Sequence, residues 1–172
     1  METTAHTGSS VNVAAKRSPN RDWLKWASIV LACIGIFIAG YIVYTDIINV
    51  DPVCPVNATF DCGVVQHSMY SHLGPIPVAY LGLGGYLLIL LVLLLETRVP
   101  FLALRGKLIV FGLTLFGVLF SGYLTAAEAF ALHKWCLWCL GSAITMLVLF
   151  LASLARVWRD ISAVPDEVDS EA

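Results

Sequence analysis

Charge is scarce in this sequence: only 13% of its 172 residues are Asp, Glu, Lys or Arg, where soluble domains carry roughly 25%. With 59% of residues hydrophobic, the chain lacks the polar surface that a soluble domain needs. A basic excess is missing too. Ten Lys and Arg stand against 12 Asp and Glu, so no electrostatic footprint for nucleic acid exists and none is expected as a partner. His67, His72 and His133 do not have the spacing of a metal-ligand set, and no metal is expected. The N-terminus also lacks the short apolar core and small-residue cleavage site of a removed signal. A polar, basic lead-in runs straight into a long apolar stretch, the pattern of an uncleaved signal-anchor.

The missing charge is concentrated in four gaps. Trp26 to Thr45, Ile76 to Leu95, Leu108 to Ala127 and Trp135 to Ala155 carry no Asp, Glu, Lys or Arg. Each is about 20 residues long, which at ~1.5 Å per residue spans a hydrocarbon core of roughly 30 Å. The runs are too long and too uniformly apolar for barrel strands, and only helices otherwise satisfy every backbone group in lipid. The expected fold is all-α and integral to a membrane: a four-helix transmembrane bundle with spans at about 26–45, 76–95, 108–127 and 135–155. Residues 1–22 read as a disordered polar segment, 23–158 as the membrane domain and 159–172 as an acidic tail.

Orientation follows from Lys and Arg. Lys16, Arg17, Arg21 and Lys25 precede the first span, Arg98, Arg105 and Lys107 lie between the second and third, and Arg156 and Arg159 follow the fourth. Lys134 alone falls on the other side. The positive-inside rule places both termini in the cytoplasm and Asp46, Asp51, Asp61 and Glu128 outside. Small residues at Gly82, Gly84, Gly85, Gly117, Ser121, Gly122 and Ala126 are the expected helix-packing positions.

The outer connections are unequal. Glu128 to Lys134 is a tight link, while residues 46–75 form a long loop, and loops of that length are usually functional or disordered. This one carries Val53, Phe60, Val64, Val65, Met69 and Tyr70, so it should lie on the mouth of the bundle. Asp51-Pro52 offers a turn or helix start, and Asp61 can cap a short helix from Cys62 to about Tyr70.

Five cysteines remain to be placed. Cys33 sits within the first span and reads as a small apolar filler. Cys54 and Cys62 share the loop, and Cys136 and Cys139 form a C-x-x-C at the head of the fourth span. Unpaired N–H groups and the helix dipole favour thiolate at such a position, and thiolate is the reactive form. By depth, Cys139 should face the bundle interior, with Cys136 nearer the loop. Trp135 and Trp138 fit an interfacial belt. On the residues alone three readings stay open: two structural disulfides, a thiolate metal site or soft-metal carrier without catalysis, and a thiol–disulfide relay between the two pairs.

Taken in order, Cys54-x7-Cys62, Ser68, Gly-Pro-Ile-Pro-Val-Ala-Tyr-Leu-Gly at 74–82, Glu128 and Trp-Cys-Leu-Trp-Cys at 135–139 resemble the vitamin K epoxide reductase family in its bacterial branch. The resemblance covers about residues 25–158. It implies a membrane thiol–disulfide oxidoreductase built around a quinone pocket, in a bacterial inner membrane, with both cysteine pairs on the periplasmic face. Cys54 would take electrons from a partner, Cys62 would pass them to Cys136, and Cys139 would face the quinone, ubiquinone or menaquinone. Ser68 matches the family's loop serine, which steadies the loop and the redox site beside the quinone. Some relatives carry a fused thioredoxin-like domain. Here the partner is expected to be a separate periplasmic thioredoxin-fold (DsbA-like) protein. Ala143 stands where vertebrate enzymes have a tyrosine, so vertebrate-type epoxide reduction is not implied.

Overall fold

The computed structural model describes residues 19–55, 57, 59–96 and 98–162. The polar lead-in up to residue 18 and the acidic tail from residue 163 lie outside the described residues. Helix α1 runs from Pro19 to Ile47, starting a little before the boundary read at residue 22, and Pro19 takes a first-turn position where a missing N–H costs nothing. The loop holds a five-residue helix, α2 (Cys62–Gln66), a 3₁₀ turn (Met69–Ser71) and a two-stranded hairpin, β1 (His72–Leu73) with β2 (Ile76–Pro77). Three long helices follow: α3 (Val78–Leu95), α4 (Pro100–Ala127) and α5 (Leu137–Ser162). A π-helical turn, Glu128–Leu132, extends the end of α4.

Among the described residues, four helices are long and apolar enough to cross a membrane: Trp23–Ile47, Val78–Leu95, Arg105–Leu132 and Leu137–Arg159. Each contains most of an uncharged gap in the sequence. Their bare surface is apolar, with Phe37, Phe116 and Leu119 all largely exposed, as lipid contact requires. Helix α1 packs on α3 and α5, and α4 packs on the same two, which closes the four into a ring. Ala32, Ala39, Tyr86, Ile89, Leu93, Val110, Met146 and Leu149 fill its centre. Hydroxyl groups link the helices inside the bundle. Tyr86 Oη donates to Ser142 O at 2.9 Å, and the Thr114 and Ser153 hydroxyls lie 2.9 Å apart. Such links contribute roughly 0.6 kcal/mol each on average in membranes.

The close helix approaches match the small-residue clusters of the sequence only in part. A methyl group at Gly82, Gly84, Gly85 or Gly122 would meet nothing within 4 Å. Gly117 does lie against a neighbour, where a β-carbon would fall 2.7 Å from Met146 Sδ. The tightest contact is at Gly35 in α1, whose missing β-carbon is replaced by the ring of Tyr86. That ring cannot move aside cheaply, because its hydroxyl is tied to Ser142. Gly35→Ala is therefore expected to lower stability by about 1–3 kcal/mol, whereas Gly82→Ala leaves it nearly unchanged; the unfolding midpoint in detergent measures both.

The loop folds by local chemistry. Asp61 caps α2, its side chain accepting from Val64 N at 3.2 Å. The helix stops at Gln66 rather than reaching Tyr70, because Ser68 turns the backbone to an extended conformation before the 3₁₀ turn. Asp51-Pro52 starts no helix; Asp51 instead accepts from the His67 ring at 3.0 Å. The hairpin reverses at Gly74-Pro75, and Gly74 supplies the positive φ of 65° that this tight turn needs.

Candidate functional site

The chain enters α5 through a sharp reversal. His133 adopts a left-handed conformation, φ 52°, and closes the π-helical turn that follows α4. The next residue, Lys134, donates its N–H to Glu128 O at 3.3 Å. The backbone then pairs with the loop: Trp135 N donates to Thr59 O at 3.0 Å and Asp61 N to Trp135 O at 3.1 Å. This short parallel bridge sets Cys62, the first residue of α2, beside Cys136, the residue before α5. An Asx turn braces the loop strand, with Asn57 Oδ1 accepting from Thr59 N at 2.9 Å and Phe60 N at 2.8 Å.

Trp138 holds the other limb of the loop. Its indole N–H donates to Val53 O at 3.0 Å, and its ring lies 4.5 Å from that of Tyr41 on α1. The Tyr41 hydroxyl accepts from Val53 N at 3.0 Å. Cys54 is thus fixed by its neighbour on both backbone faces. Besides the interfacial position read for it from the sequence, Trp138 clamps the loop.

All four candidate cysteines meet at this end of the bundle. Cys54 and Cys62 form a disulfide. Cys136 and Cys139 are free thiols, as is Cys33, which lies exposed on the apolar surface of α1. Cys62, Val65 and Cys136 make one buried cluster, with Cys54, Trp138, Leu132 and Cys139 packed on it. Cys136 is 0% exposed. It occupies the cap position of α5, where its sulfur takes the N–H of Cys139 at 3.4 Å. The hydrogen bond from the Cys139 thiol holds the Cys136 thiol below its ordinary value, against burial and the nearby Glu128 charge, which push it up.

Beneath the loop lies a cavity of about 130 Å³. Each of the four spanning helices lines it, as do Val65, Ser68 and His72 of the loop. Cys139 reaches this cavity, whereas Cys136 is not among its lining residues. Ser68 lines it too, with its hydroxyl donating to Val65 O at 2.8 Å, so it fixes the end of α2. Ala143 contributes a small wall one turn beyond Cys139. Among the described residues, no group of three or more His, Cys, Asp and Glu could hold a metal ion.

Glu128 is the residue that sequence reasoning underrated. It was placed outside, ahead of a tight link. In the structure it is 3% exposed, its carboxylate accepts the N–H of Cys136 at 3.1 Å, and it lines the same cavity as Cys139. The signal available was its position as the only acidic residue between Glu96 and the C-x-x-C; the π-helical turn on which it sits leaves no mark in composition.

A model of the vitamin K epoxide reductase family matches residues 26–154. No curated protein matches the chain. The matched stretch contains every element that builds the cavity and both cysteine pairs.

Proposed function

Because this chain belongs to the vitamin K epoxide reductase family of membrane oxidoreductases, whose members generally use quinones, we propose that it oxidises a thioredoxin-fold dithiol partner and passes the electrons through its two cysteine pairs to a membrane quinone. The observation that supports this most directly is the sulfur order. The Cys54–Cys62 disulfide packs on Cys136, and Cys139 lines the cavity.

The reaction proceeds by exchange. A thiolate of the partner attacks Cys54, and Cys62 leaves as a thiolate. Cys62 then attacks Cys136 of an inner disulfide, which frees Cys139; the partner's second thiolate closes its own disulfide and releases Cys54, and Cys54 attacks Cys62 to reclose the outer pair and free Cys136. In this reading a closed outer pair with an open inner pair is the state that holds two electrons at the cavity. The cavity suits a quinone ring. Ala39, Ile42, Val78 and Leu124 give it apolar walls, and Ser68, Ser121 and Thr125 stand among its polar residues. When bound, a quinone supplies a two-electron, two-proton acceptor. A partner poised at about −120 mV is already strongly oxidising, and each ~30 mV of difference is worth ~1.4 kcal/mol, so only a high-potential acceptor drains it.

The direction across the membrane follows from charge. Arg105, Lys107, Arg156 and Arg159 lie toward the end away from the cysteines, and the cysteine end carries Asp46, Asp51 and Asp61 with Lys134. The cysteine end therefore faces the periplasm of a bacterial inner membrane.

The test is a trap. A reduced partner cut back to its attacking cysteine opens the Cys54–Cys62 disulfide and has no second thiol to resolve the bond, so a partner–Cys54 mixed disulfide accumulates on non-reducing gels and is absent in Cys54→Ser. Trapping of the partner on Cys136 instead would overturn the order.

A further inference from the structure

Both limbs of the outer cysteine loop are held by bonds that do not involve their sulfurs. The limb that leads to Cys62 is tied through its backbone, with Asp61 N donating to Trp135 O at 3.1 Å and Trp135 N to Thr59 O at 3.0 Å. The limb that carries Cys54 is tied one residue earlier, at Val53. The Trp138 indole N–H donates to Val53 O and the Tyr41 hydroxyl accepts from Val53 N, each at 3.0 Å, and the two rings lie 4.5 Å apart. Neither Tyr41 nor Trp138 has a part in the exchange steps above.

Packing of the segment itself cannot do what this bracket does. The Val53 side chain is 80% exposed, so its burial holds nothing. Asp51 reaches His67 at the end of α2, but both side chains are exposed and such a pair holds weakly. The sequence supplies stiffness instead. Pro52 and Pro55 flank Val53-Cys54; each fixes its own φ and keeps the residue before it extended. A short stiff segment thus carries Cys54, and pinning one residue of it aims the sulfur.

We propose that Tyr41 and Trp138 are positioning residues of the outer pair: their bracket on Val53 keeps Cys54 opposite Cys62 after the disulfide between them opens. The proposal rests on the relay reading for its biological use, whereas the sulfur equilibrium it predicts belongs to this chain alone. In the relay the bracket serves the last exchange. Cys54, released by the partner as a thiolate, attacks the Cys62 sulfur of the Cys62–Cys136 bond. The Cys54–Cys62 bond forms, the Cys62–Cys136 bond breaks, and its electron pair leaves on Cys136 as a thiolate, so no further oxidant or proton is needed. Sulfurs already held in place react without a search by a free segment. Because Trp138 lies between Cys136 and Cys139, the turn that presents the inner pair also sets where Cys54 waits.

The experiment uses the full chain with Cys33→Ser, Cys136→Ser and Cys139→Ser, which leaves Cys54 and Cys62 as its only cysteines. The outer pair is equilibrated with mixtures of reduced and oxidised glutathione, and the closed fraction is read by mass after alkylation. Trp138→Phe keeps a ring against Tyr41 and loses the indole N–H; Tyr41→Phe loses the hydroxyl. Each should lower the equilibrium constant for closure about fivefold, the scale of one hydrogen bond. Together they should lower it about tenfold, less than the product because both bonds hold one residue, which raises the pair's potential by ~30 mV. Gly35→Ala is the control for a role in stability alone: it strains the bundle at Tyr86, away from the loop, and should leave the potential where it is. Unchanged potentials in both ring variants, or an equal shift in Gly35→Ala, would refute the positioning role. If Trp138→Phe does not fold, Tyr41→Phe decides alone. With Cys136 and Cys139 restored, the double variant should also accumulate the Cys62–Cys136 bond during turnover with a dithiol partner. A shifted potential with no exchange with the partner would defeat the relay reading and leave the positioning of Cys54 standing.

Discussion

Cys139→Ala should lose quinone reduction by at least about 10³-fold while its outer disulfide still exchanges with a dithiol partner. Cys139 is the only cysteine among the cavity-lining residues, so electrons that reach Cys136 in this variant have no sulfur from which to leave. A second signature should accompany the loss. The Cys136 thiolate packs on the Cys54–Cys62 disulfide and can attack Cys62, releasing Cys54. In the parent, Cys139 resolves that bond. Without it, a Cys62–Cys136 disulfide persists and appears by peptide mapping under non-reducing conditions. Quinone turnover that survives Cys139→Ala would show that the donor is another group, and the sulfur order proposed above would have to be abandoned.

The parts of this molecule that could be read in advance are those set by local pattern. An uncharged run of helix length declares a span whatever its neighbours are, and the four gaps correspond closely to the four helices. The start of α2 was legible because Asp61 caps it within four residues of sequence. Meeting of the four cysteines at one end follows from counting spans. What stayed hidden depends on which partner a side chain finds. Trp138 could be placed at the interface, but not its indole's hold on Val53, 85 positions away in sequence. Gly82, Gly84 and Gly85 looked like a packing face, yet the close contact belongs to Gly35, because only there does a bulky ring, Tyr86, come from the facing helix. Glu128 could be assigned to the outer side from charge, but its burial could not be read from the sequence. It sits on a π-helical turn, which local pattern does not announce.

Glu96 caps the second span and Arg156 lies in the last turns of the fourth, and the two pair, Arg156 Nη2 donating to both Glu96 oxygens at 2.8 and 2.7 Å, with side chains only 8% and 10% exposed. This bond ties the end of α3 to the last turns of α5, far from the sulfur site. Arg156→Ala is expected to lower stability by about 3–5 kcal/mol, since it strands a buried carboxylate rather than merely deleting a contact. The double replacement Glu96→Leu with Arg156→Met should recover most of that loss. Arg156 Nη1 has no hydrogen-bond partner, so the pair's desolvation is incompletely offset and an apolar pair of similar volume suits the same space. Unfolding midpoints of the two single variants and the double variant form the cycle that decides. If the double variant were as unstable as Arg156→Ala, the pair itself would be supplying net stability. If Arg156→Ala cost less than about 1 kcal/mol, water or lipid headgroups must reach Glu96, and the charge would be functioning as the surface residue it resembled in the sequence.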